Sequence, residues 1–146
     1  MNITSTAFQH NENIPGLYTC NGNDQNPPLT FSELPPNSKS LVLIVDDPDA
    51  PGRVFTHWLI YNIPPTATQI LENEVPPNSL QGINDFGNTK YGGQCPRTGT
   101  HRYFFKLYAL DILLDLPAGA NKEELNKALE GHVLESAQLI GLYSKS

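Results

Sequence analysis

Leu41-Val42-Leu43-Ile44-Val45 is an unbroken apolar run between Ser40 and Asp46. A run of that length, rich in Val and Ile, predicts a strand buried on both faces. Residues 54–63 predict a second strand by alternation. Phe55, His57, Leu59, Tyr61 and Ile63 fall on one face, and Thr56, Trp58, Ile60 and Asn62 on the other. Residues 101–110 predict a third, with His101, Tyr103, Phe105, Leu107 and Ala109 sharing a face. Weaker strand patterns occupy residues 3–8 and 139–143. Near the C-terminus, Asn121 followed three residues later by Glu124 has the form of a helix capping box. Leu125, Ala128, Leu129, His132, Val133, Ser136, Ala137 and Ile140 continue at helical spacing. Gly131 predicts a kink or break in that helix, and Gly141 its end. Proline pairs at Pro27-Pro28, Pro35-Pro36, Pro64-Pro65 and Pro76-Pro77 forbid helix or central strand where they stand. Strands followed by one helix predict an antiparallel β-sandwich with a short C-terminal helical segment.

Composition narrows the functional classes. The chain of 146 residues suits one domain, 1–146. Nine Lys and Arg against 15 Asp and Glu give a net charge of −6. That excludes the basic field of a nucleic-acid groove and the polybasic patch of a membrane-surface protein. No apolar stretch approaches the ~18 residues of a membrane span. The first residues carry neither a basic start nor an apolar run, so a cytoplasmic protein is expected. Cys20 and Cys95 lie far apart and are expected to be free thiols in a reducing compartment.

The candidate chemistry bunches in two places. The first is Asp46-Asp47-Pro48-Asp49-Ala50-Pro51-Gly52-Arg53, just past the apolar run, with His57 close behind. Carboxylates at the end of a buried strand are costly to desolvate unless paired. A solvated turn shaped by Pro and Gly is the alternative. The second runs from Gly82 through Tyr91-Gly92-Gly93-Gln94-Cys95-Pro96 to Gly99-Thr100-His101-Arg102-Tyr103. Glycines there let the backbone approach a ligand, although an ordinary long loop has the same composition. His101 and Tyr103 share a strand face and His57 begins another. Two imidazoles, a phenol and loop amides suit a phosphate or carboxylate, with Asp47 orienting one imidazole. Two catalytic alternatives exist, as a hydrolase or metal enzyme. Asp47, His57 and His101 have the composition of a two-His, one-carboxylate metal site. Cys95 with His101 has that of a nucleophile and base. Neither a Gly-x-Ser-x-Gly elbow nor an HExxH motif is present.

These residues carry a family resemblance. Ile14-Pro15, Tyr18-Thr19-Cys20, Pro27-Pro28-Leu29, Asp47-Pro48-Asp49-Ala50-Pro51, His57-Trp58, Tyr61-Asn62-Ile63-Pro64, Asn84-Asp85-Phe86-Gly87, Tyr91-Gly92-Gly93, His101-Arg102-Tyr103 and Leu107-Tyr108-Ala109-Leu110-Asp111 follow in order along almost the whole chain. In them the sequence resembles the phosphatidylethanolamine-binding protein family, or Raf-kinase-inhibitor-like proteins, in its short prokaryotic form. The resemblance implies a β-sandwich with a small anion pocket at one end, lined or supported by Asp47, Pro51, His57, His101 and Tyr103. It implies that Asp49 holds a loop together. It implies a non-enzymatic protein without cofactor that binds phosphate-like groups or phospholipid headgroups. Some members inhibit kinases or other proteins, and prokaryotic members often look like homodimers. A protein-inhibitor module whose anion pocket is incidental is the alternative reading. Two departures stand at the pocket rim: Gln94 and Arg97 replace prolines of the family's usual Gly-Pro-Cys-Pro-Pro. A less rigid rim with an added cation is expected there.

Overall fold

The computed structural model describes residues 1–144. Its strands are β1 (Asn2–Thr4), β2 (Glu12–Asn13), β3 (Leu29–Ser32), β4 (Ser40–Asp47), β5 (Phe55–Ile63), β6 (Gln69–Ile70), β7 (Leu80–Gln81), β8 (Thr100–Leu110) and β9 (Val133–Ser144), with helix α1 (Lys122–Leu129) before the last strand. They form a three-stranded sheet, β1-β3-β6, and a six-stranded sheet, β2-β9-β8-β4-β5-β7. Pairing is antiparallel except between β2 and β9, which run parallel. The expected mainly-β sandwich is therefore present, with a single parallel edge pair among the described residues.

The apolar run lies at the heart of the larger sheet and is buried on both faces for a visible reason. Leu41, Leu43 and Val45 pack with Trp58, Ile60, Phe105 and the small sheet's Ile3, Leu29 and Phe31. Val42 and Ile44 point the other way, with Leu59, Tyr61, Leu110 and Leu125 of α1. One sheet face is thus covered by the small sheet and the other by the helix and the segment leading to it.

Three expectations need correction. The helix stops at Leu129, not at residue 140. Its capping box is real, with Asn121 Oδ1 accepting from Glu124 N at 2.8 Å and Glu124 Oε1 from Asn121 N at 3.1 Å. Gly131, at φ 80°, then reverses the chain into β9. Residues 133–144 pair along β8, so the ladder overrides their helix-forming composition. The second correction concerns β5. Its pairing with β4 skips at Val45/Asp46, where Trp58 and then Thr56 are the partners, and again at Leu41/Leu43. His57 and Asn62 (φ 54°) are the extra residues. Each bulge breaks the strict alternation. Leu59 and Tyr61 consequently face the helix, while Ile63 joins Trp58 and Ile60 between the sheets. Third, Cys20 and Cys95 are not free thiols. They form a disulfide, with Cα atoms 5.5 Å apart and 75 residues between them in sequence.

Candidate functional site

Asp47 ends β4, His57 is the bulged residue near the start of β5, and His101 and Tyr103 begin β8. These three strands are neighbours in one sheet, and all four side chains line one cleft of about 530 Å³. The bulge matters here. It lets His57 and Trp58, adjacent in sequence, both turn toward the small-sheet side, where Trp58 enters the core and His57 the cleft.

The carboxylates of the turn after β4 are each paired, as their desolvation demands. Asp46, fully buried, accepts from Lys106 Nζ at 3.0 Å and from Lys122 Nζ, on the first residue of α1, at 2.9 Å. Asp47, 3 % exposed, accepts from His101 Nδ1 at 2.6 Å and from the Asp49 backbone N–H at 2.8 Å. Asp49 takes three hydrogen bonds from Arg102, through its backbone N, Nε and Nη2, each at 2.9 Å. A solvated turn does not describe this arrangement. Asp49 fastens the loop to β8, as the resemblance implies. The Arg102 hydrogen bonds hold its carboxyl down at about 2, against an ordinary 3.8. A depressed carboxyl pKa stabilises the fold above the unfolded value, and that stability is lost as pH falls from about 4 to about 2. The pair is partly solvated, so the expected size is about 1 kcal/mol. Urea unfolding of the wild type and Asp49→Asn should differ by that amount at pH 7, and the gap should shrink steadily between about pH 4 and pH 2; a constant gap refutes the assignment.

His57 is almost wholly buried. Its Nδ1 lies 2.8 Å from the carbonyl of Gly92. A carbonyl only accepts, so Nδ1 carries the proton. Burial pushes the imidazole pKa below its ordinary value, against the opposing pull of the Gly92 carbonyl and of Asp47 and Asp46. Neutral His57 therefore presents Nε2 to the cleft as an acceptor, and becomes a second donor only on protonation. Residue type alone would make both imidazoles donors; the Gly92 carbonyl makes neutral His57 an acceptor at Nε2. Tyr103 stays protonated, because burial and the nearby Asp47 raise its pKa. Its ring meets His57 edge-on at 5.4 Å and stacks on His101 at 6.3 Å.

The rim is built from Pro51, Phe55, Phe86 and the segment Cys95, Pro96, Arg97 and Thr98. All five residues expected at the site line this one cleft. Phe55 and Phe86 went unrecognised as wall residues. Their rings lie 4.9 Å apart, and 5.0 and 5.5 Å from that of His57. Phe55 shares a period-two face with His57, which was the available signal. Phe86 lies within the second sequence cluster and the Asn84-Asp85-Phe86-Gly87 motif, but nothing in its spacing sets its ring against His57.

The disulfide anchors the rim at Cys95, between the two positions where Gln94 and Arg97 stand in place of prolines. Gln94 is itself buried, its side-chain amide 3.1 Å from the Tyr91 hydroxyl, while its backbone carbonyl accepts from Cys20 N at 3.2 Å. The bridge also leaves Cys95 no thiolate, which removes the Cys95–His101 nucleophile. Among the described residues no group of three His, Cys, Asp or Glu side chains is arranged to hold a metal. In particular, Asp47 and His57 spend the atoms named above on His101 and Gly92. A shallower depression of about 630 Å³ beside α1 mixes both charge signs, with Arg53, Lys122 and Lys127 facing Asp85, Glu123 and Glu130, and has no comparable convergence of groups.

Comparison with known proteins agrees with the fold. The family model for phosphatidylethanolamine-binding protein matches residues 4–144. A UPF0098 protein of Methanothermobacter thermautotrophicus is 52 % identical over 150 residues, covering 99 % of each chain. The crystal structure of a putative phosphatidylethanolamine-binding protein homolog from Chlamydia trachomatis superposes with a TM-score of 0.95 at 40 % identity, covering 99 % of this chain and 97 % of that one. E. coli YbcL, described as a new member of the mammalian family, gives 0.93 at 29 % identity, covering 99 % and 98 %.

Proposed function

The chain belongs to the phosphatidylethanolamine-binding protein family, and from that premise we propose that it is a non-enzymatic binding protein whose cleft takes a phosphate- or carboxylate-bearing group. One observation carries the reading: a buried Asp47–His101 pair, His57 and Tyr103 converge on one end of a cleft open to solvent. Asp47 orients His101 so that its Nε2 is left for a ligand. Tyr103 supplies a hydroxyl donor, and protonated His57 a further N–H. The cleft volume lies in the range of ligand sites rather than of a bare ion.

The His57 tautomer makes binding proton-linked. A dianion with no proton of its own, such as sulfate, meets the neutral His57 Nε2 lone pair and must recruit a proton there. Sulfate affinity should rise as pH falls from about 8 to about 6, by at most tenfold per pH unit for each proton taken up. Calorimetry with sulfate and with inorganic phosphate reads this directly. Absence of binding at millimolar ligand, or unchanged affinity in His101→Ala, overturns the proposal.

Exposed Phe86 at the rim favours a second reading, in which a protein such as a kinase is the partner and the rim its contact. Capture from the native host by the wild type and by Phe86→Asp should then recover different proteins; identical recoveries count against it.

A further inference from the structure

The chain has three arginines, and two of them are committed. Arg53 grips Asp85, and Arg102 grips Asp49. Arg97 is exposed and, among the described residues, has no carboxylate partner, in a protein with 15 acidic residues and only 9 basic ones. It lines the same cleft as His57, His101 and Tyr103, on the exposed rim rather than at the buried end. The carboxylate of that cleft, Asp47, is spent on His101 and on the Asp49 N–H.

The position of Arg97 is also well fixed at its base. Two residues before it, Cys95 is tied by the disulfide to Cys20, and Pro96 between them is buried. Three residues after it, Thr100 enters the β8–β9 ladder. The guanidinium therefore extends from a short anchored tip, which lowers the ordering cost of using it. Its planar fork matches a carboxylate with two parallel hydrogen bonds.

We infer that Arg97 sets the specificity of the cleft, favouring a phosphate monoester whose tail carries a carboxylate over one whose tail carries an ammonium. The inference rests on the anion-binding reading above. The phosphate occupies the buried end, on His101, His57 and Tyr103. The tail then leaves past Arg97, which attracts a carboxylate and repels an ammonium. A family named for an ethanolamine lipid thus has here a member whose rim discriminates against that headgroup.

2-Phosphoglycolate and O-phosphoethanolamine form a suitable pair of probes, being short monoesters that differ in the sign of the tail. Calorimetry on the intact, disulfide-bonded protein at low salt should show 2-phosphoglycolate binding about tenfold more tightly. In Arg97→Gln that gap should close to within about twofold, and inorganic phosphate, which has no tail, should bind as in the wild type. Arg97→Lys should keep the direction of preference at reduced size, since it retains charge but not the fork. Arg97 makes no hydrogen bond to the described residues, so the variants should melt with the wild type. A wild type without the preference, or a preference that survives in Arg97→Gln, overturns this inference and leaves the anion site standing. Failure of the wild type to bind inorganic phosphate or either ester overturns both.

Discussion

Opening the Cys20–Cys95 bridge is expected to cost about 4 kcal/mol of stability and to lower the melting temperature by roughly 10–15 °C. The bridge closes a loop of 75 residues, and loop-closure entropy for such a length gives that magnitude. Its local effect should be uneven. Tyr91 to Gln94 stay docked without it, through Tyr91 Oη to the Tyr18 carbonyl at 2.8 Å, Gly93 N to Asp24 Oδ1 at 2.6 Å and Cys20 N to the Gln94 carbonyl at 3.2 Å. Gly93 approaches so closely that a Cβ there would lie 2.6 Å from the Tyr18 carbonyl oxygen. Residues 95–99 have no such hydrogen bonds among the described residues, so the disulfide is what holds the Arg97 tip before β8 begins. Both cysteines are exposed, and a dithiol reductant can reach them, taking the bridge to two thiols while itself closing to a cyclic disulfide. Thermal melts with and without dithiothreitol should differ by the stated amount, and the Cys20→Ser/Cys95→Ser double variant should melt low and ignore the reductant. Backbone amide order parameters should fall at residues 97–99 more than at 91–94. A double variant melting within a few degrees of the wild type refutes the stability argument; an equal change in order parameters across the two segments refutes the local one.

The bridge also shows where the sequence ceased to be readable. Strand positions came through because they depend on local pattern: an apolar run for β4, alternation for β5 and β8. The Asn121–Glu124 box was legible for the same reason, since both partners lie within one helical turn. What failed depended on distant partners. Val133, Ser136 and Ala137 fall at helical spacing, and only the β8 ladder makes them strand. Cys20 and Cys95 meet because the turn at Gly16–Tyr18 packs beneath the Gly92-Gly93 segment, a contact no spacing announces. The bulge at His57 is another case. Alternation correctly grouped His57 with Phe55 but also grouped it with Leu59 and Tyr61, which face the opposite side. The bulge exists to match β5 to β4, and its register is a property of the pair. At the site, Asp47, His57, His101 and Tyr103 were legible by chemistry, parity and family resemblance. Their hydrogen-bond roles were not, because the partner that fixes the His57 tautomer is a backbone carbonyl, which has no sequence signature.

Asp47 is expected to be the least dispensable side chain of the cleft, and its two simplest replacements should fail differently. Asp47→Ala strands the His101 Nδ1–H and the Asp49 N–H in a buried place, at a cost of about 3 kcal/mol in stability. It also frees the His101 ring, so sulfate affinity should fall about tenfold or more. Asp47→Asn separates orientation from charge. Its amide oxygen still accepts from Asp49 N, while its NH₂ faces His101 Nδ1 and donates to it. His101 must then carry its proton on Nε2, the atom left for the ligand. A neutral Nε2–H still donates one hydrogen bond to an anion, but without the Asp47 charge protonation of His57 loses a supporting neighbour. Asp47→Asn should therefore keep much of the sulfate affinity at pH 8 and gain less than the wild type on going to pH 6, whereas Asp47→Ala should bind weakly at both. Sulfate calorimetry at the two pH values, alongside urea unfolding, distinguishes these outcomes. Wild-type affinity in Asp47→Ala would remove Asp47 from the site, and a wild-type pH slope in Asp47→Asn would show that Asp47 has no part in the proton linkage at His57.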